Sequence, residues 1–103
     1  MANRHRDFDE LVAIQFQDIE FSQIYLITLI NDEGMDLENA LRECIISMGL
    51  KVFAEKAGTS IQHVSDFVKK RKKFSMELMD KYLQKVFELK LKVSVEVLDK
   101  DVA

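Results

Sequence analysis

Residues 49–73 read GLKVFAEKAGTSIQHVSDFVKKRKK, Gly49 to Lys73, and the fold turns on how they are read. From Leu50 to Ala57 apolar residues recur at helical spacing, and Gly58 breaks the pattern. Ser60 stands where it would cap a second helix, from Ile61 to about Lys70. Two short helices joined by a three- or four-residue turn containing glycine cross at a steep angle. Ala54 is small where such helices approach closely, and Val64 is apolar where the second must face the first. Phe53 and Phe67 are placed to fill the core below. The outward residues of the second helix are then Ile61, Gln62, Ser65, Asp66 and Lys69. Its first turn, behind Ser60 and beside Ile61, Gln62 and His63, has free N–H groups of the kind that attract phosphate. Gln pairs with adenine in the major groove, and Ile contacts a thymine methyl. Lys69, Lys70, Arg71, Lys72 and Lys73 follow, and such a run neutralises phosphates. The spacing therefore predicts a helix pair that lays its second helix against double-stranded DNA.

Charge is segregated in the same direction. The whole chain has a formal charge of −3, which by itself does not favour nucleic acid. Residues 1–49 hold 3 Lys/Arg against 10 Asp/Glu, and residues 50–75 hold 7 against 2. A local basic patch produces a field that the total conceals. At 103 residues, 48% of them apolar, the chain is expected to form one domain with one core. It has no proline and three glycines, which favours helices joined by short turns. Cys44 is its single cysteine, so no internal disulfide forms and a reducing, cytoplasmic setting is expected. No run of 18 apolar residues predicts a membrane span, and none follows a basic start as a secretion signal would.

Outside the central stretch the pattern is also helical. Asp7 with Glu10 resembles a capping box opening a helix from Phe8 to about Phe16, although "LVAIQF" also fits a strand. Asp18 is an N-cap for residues 19–32, with Phe21, Ile24, Tyr25, Thr28 and Leu29 forming one face. Asp36 caps a third helix whose apolar stripe is Leu37, Ala40, Leu41, Cys44, Ile45 and Met48. Ser75 caps a last helix with Leu78, Met79, Tyr82, Leu83 and Val86 inward. Residues 89–97, LKLKVSVEV, alternate strictly and predict a half-buried β-strand. The division expected is an N-terminal helical extension (1–36), a helix-turn-helix core (37–88) and a C-terminal strand (89–98) within a single domain.

At "FAEKAGTSIQHVS" the chain resembles the helix-turn-helix of the Cro/CI-type, lambda repressor-like family. The order of "RDFDE", "DIEFSQIYL", "LENALRECIISMG" and "LKLKVSVEV" looks like the addiction-module antidote branch, which includes HigA-like antitoxins. The resemblance implies a mostly α fold that binds DNA as a homodimer, represses its own operon and neutralises a cognate toxin protein. Three positions differ from the family pattern: Leu50 replaces a polar phosphate-contacting residue, Lys70 a glycine that ends the recognition helix, and Phe74 a proline. The five cations offer a different route to the phosphates.

Other chemistry has little support. His5 and His63 lack metal-ligand spacing with Cys44, so no metal or other cofactor is expected. The carboxylates have neither a partnering nucleophile nor a Gly-rich phosphate loop, so an enzyme is not expected. Cys44 and the apolar excess at Leu26, Ile27 and Ile30 read most simply as core. A DNA-binding repressor, as the antitoxin of a toxin–antitoxin pair, is the function expected. The alternatives are a toxin-binding module with little DNA binding and a solitary prophage-type repressor.

Overall fold

Four short polar side chains decide where the main helices begin. In the computed structural model, which describes residues 11–98, α1 covers residues 11–15 and is followed by α2 (Ile19–Asn31), α3 (Leu37–Met48), α4 (Leu50–Ala57), α5 (Ile61–Val68) and α6 (Met76–Tyr82). Asp18 Oδ1 accepts from the Glu20 amide at 3.0 Å and Asp36 Oδ1 from the Asn39 amide at 2.8 Å. Ser60 Oγ accepts from His63 N and Ser75 Oγ from Leu78 N, both at 3.1 Å. Each cap satisfies an amide that has no partner inside its helix, and is worth about 1 kcal/mol. After Tyr82 the last helix widens into a π-helical turn, Leu83–Phe87, which buries Leu83, Val86 and Phe87. The Asp7–Glu10 capping box lies outside the described residues.

The result is an all-α single domain around one core. The stripe expected on α3 faces inward: Ala40, Leu41, Cys44, Ile45 and Met48 are buried, with Leu37 half-buried beside them. Phe53, Ala54 and Ala57 enter from α4, Val64 and Phe67 from α5, and Met79, Tyr82, Leu83, Val86 and Phe87 from the last helix. Burial pushes the Cys44 thiol up to about 12, and Glu43 adds to the shift, so it stays protonated at neutral pH. Polar ties join distant elements. Gln23 Nε2 donates to the Phe87 carbonyl at 2.9 Å, Lys56 Nζ to the Phe16 carbonyl at 3.1 Å, and Tyr25 and Ser47 hydroxyls pair at 3.0 Å. No helix among the described residues is long and apolar enough to cross a membrane.

Three expectations are corrected. The face of α2 is rotated: Ser22 and Leu26 are buried, while Ile24 is 63% exposed and Thr28 lies in solvent. A helix apolar on every side gives its period no means of choosing which side turns inward. Ser22 is acceptable inside because its hydroxyl donates to the Phe16 and Asp18 carbonyls. Second, α5 ends at Val68, two residues before the expected Lys70. Third, residues 89–98 form no strand, and no strand occurs among the described residues. The only other strand candidate, "LVAIQF", is helical over residues 11–15, so the alternating segment has no ladder partner among the described residues. Instead, Leu89 and Leu91 pack half-buried against the core and line a groove with Leu26, Ile27, Ile30, Leu37 and Leu83, and the Leu91 amide donates to Asp80 Oδ1 at 2.9 Å. Beyond that anchor Val93, Val95 and Val97 stand in solvent.

Candidate nucleic-acid interface

The helix pair is built on one backbone motif used twice. At the end of α4 the Thr59 amide donates to the Ala54 carbonyl at 3.0 Å and Gly58 N to the Glu55 carbonyl at 3.3 Å, with Gly58 at φ +72°. At the end of α5 the Arg71 amide donates to the Asp66 carbonyl at 2.8 Å and Lys70 N to the Phe67 carbonyl at 3.1 Å, with Lys70 at φ +63°. Both are Schellman closures, in which a left-handed residue lets two amides reach back to the last free carbonyls. Glycine enters that region without strain, whereas any other residue pays about 1–2 kcal/mol. The second closure therefore carries strain that the first does not. It is held in place by Phe74, whose ring lies parallel to Phe67 at 3.9 Å and meets Tyr82 edge-on at 5.1 Å. Phe74 is thus a core residue that pins the far end of the basic loop.

Ala54 and Val64 are buried, as are Phe53 against Tyr82 and Phe67 against Phe74 in the core. The opposite side of α5 is open. Ile61 is 49% exposed, Gln62 is exposed, and Ser65 and Asp66 are half-buried. Lys69, Lys70, Arg71, Lys72 and Lys73 are all exposed, directly beyond the helix end. Ser60 caps the helix at the same surface. His63, in the first turn of α5, is half-buried, stacked on Phe74 at 5.0 Å and edge-on to Tyr82 at 6.2 Å. It therefore acts as packing for the helix start. Leu50, at the first position of α4, packs on the core, which accounts for an apolar residue there.

Polar groups on the open face are already oriented. Gln62 Nε2 donates to Asp66 Oδ1 at 2.9 Å, and Arg71 Nη1 lies 3.7 Å from the same oxygen. Asp66 thereby fixes the Gln62 amide plane and leaves its Oε1 free to accept. One residue beside the interface was not picked out from the sequence. Arg42 sits on the buried side of α3, its side chain only 8% exposed. Its Nε donates to the Phe67 carbonyl at 3.0 Å and its Nη1 to Asn39 Oδ1 at 2.7 Å, with the guanidinium 4.6 Å above the Phe67 ring. The signal available was an arginine inside the apolar stripe, four residues after Glu38.

Among the described residues no group of three or more His, Cys, Asp or Glu side chains is arranged to hold a metal ion. Comparison with protein-family models, with curated proteins and with solved structures gives no match to this chain.

Proposed function

We propose that this protein is a sequence-specific, double-stranded DNA-binding repressor, acting as the antitoxin of a toxin–antitoxin pair. The observation that carries the DNA reading is the continuity of α5 with the basic loop. A capped eight-residue helix with an open polar face runs directly into five exposed cations. Base readout belongs to Gln62 and Ser65, with Ile61 beside them, and Lys69 to Lys73 track the phosphate backbone. The antitoxin part rests on the acidic N-terminal half. There Ile24 and Ile27 are exposed on α2, and complementary charge would speed encounter with a basic toxin.

The test is a binding series on selected cognate and random duplexes. Gln62→Ala is expected to cost about 1–3 kcal/mol on the cognate duplex and little on random DNA. Replacing Lys72 and Lys73 by Gln is expected to weaken both alike and to flatten the salt dependence. Equal losses for Gln62→Ala on the two duplexes remove it from base readout.

A further inference from the structure

We propose that Arg42, Lys70 and Lys73 form a pocket for a tetrahedral phosphate group. They line a surface cavity of about 240 Å³ together with Glu38 and Asn39, beside the C-terminal end of α5. Its chemistry stands on these side chains alone. Identifying the phosphate as one of the DNA backbone rests on the reading above.

Arg42 provides the fixed element. Of the five N–H donors of a guanidinium, two are engaged, by the Phe67 carbonyl and by Asn39 Oδ1. These bonds and the Phe67 ring lock its plane, so little rotamer freedom remains to be lost when an anion arrives. Nη2 approaches Glu38 Oε2 only at 3.9 Å, too far for a hydrogen bond, and keeps donors for the cavity. Lys70 is the second, independent observation. It occupies a left-handed backbone position that glycine would fill without strain, and its side chain lines the same cavity. Strain retained at a non-glycine residue is a reason to look for what the side chain does there. Neither Lys70 nor Lys73 takes part in an ion pair among the described residues. Three cations against one carboxylate give the walls a charge of about +2, which suits a phosphate better than a singly charged carboxylate.

The experiment uses the full chain and two probes, inorganic phosphate and a random-sequence duplex. Phosphate is titrated while the NMR signal of the Arg42 Nε–H is followed. A saturable shift is expected. Lys70→Gly, which removes the ammonium and the strain together and so leaves the fold intact, should abolish it. Glu38→Gln should tighten phosphate binding by about two- to fivefold, because it removes the one repelling charge. In the duplex arm, Lys70→Gly should lower the slope of log affinity against log salt by about 1. Loss in both arms supports the pocket and identifies a backbone phosphate. Loss in the phosphate arm alone supports the pocket and identifies a free anion as its occupant. A wild-type chain that binds phosphate but no duplex keeps the pocket and removes the DNA reading. No shift, or the same shift in Lys70→Gly and the wild type, overturns the proposal.

Discussion

Gly58 and Lys70 do the same backbone work with opposite side-chain consequences. Both close a helix through a left-handed residue, but only Gly58 does so without strain. A Cβ built on Gly58 meets only the flexible Lys85 ammonium, at 3.4 Å. The cost of Gly58→Ala is therefore a backbone cost, expected at about 1–2 kcal/mol in urea denaturation with an unchanged m-value. A loss below about 0.3 kcal/mol would mean that the turn relaxes out of the left-handed region. The sequence marks Gly58 at once, because glycine announces a turn. It marks Lys70 only as a departure from a pattern, since nothing local says that a lysine will adopt positive φ. That position is fixed by the Asp66 and Phe67 carbonyls behind it and by Phe74 stacked beyond it.

At the scale of elements, α3 and α2 show why one helix is readable and the other is not. Apart from Ile46, which is exposed, the apolar residues of α3 are segregated on one side, so their period and their burial agree. Those of α2 surround the helix, and the inward side is chosen by what it packs on: Phe16 at 5.1 Å from Phe21 and 4.9 Å from Tyr25, and α3 beneath. This leaves Ile24 outside, on a groove of about 320 Å³ that it lines with Phe21, Tyr25, Thr28 and Leu29, while Ile27 lines the separate groove of Leu89 and Leu91. Replacing Ile24 and Thr28, both exposed on that groove, by Lys is expected to change stability by no more than about 0.5 kcal/mol per site. In the antitoxin reading the same pair of changes prevents neutralisation of the toxin while DNA affinity is kept. Thermal melts with a toxin-protection assay measure both, and full protection by the double variant moves the docking surface elsewhere.

At the scale of the whole molecule, the alternating tail is the unsatisfied element. Leu89 and Leu91 are used by their own domain, but Val95 is 95% and Val97 96% exposed. Their backbone groups have no ladder among the described residues. Pairing with the same segment of a second copy, antiparallel about a two-fold axis, would satisfy both the backbone and the valines. Such a dimer can present two α5 helices to half-sites about 34 Å apart, one turn of DNA. A chain truncated after Lys92 keeps the Leu89 and Leu91 anchor and is expected to fold as a monomer. Sedimentation of that chain decides the matter: if it remains fully dimeric, the helices hold the copies together and the tail does not.

The sequence by itself determined the starts of α2, α3, α5 and α6, the break at Gly58 and the inward residues of α3 to α5. Each of these depends on groups within a few residues of one another: a side-chain oxygen and an amide two or three positions on, or apolar side chains one helical turn apart. The candidate site was legible to the same extent, as a capped helix followed by cations. Only the tertiary structure decided the rest. It stacked His63 against Phe74, gave residues 11–15 to a helix and so left the tail without a strand partner among the described residues, and set Arg42 over the Phe67 ring beside Lys70 and Lys73. Those outcomes depend on contacts between residues far apart in the chain, where burial and the satisfaction of buried polar groups outweigh local preference.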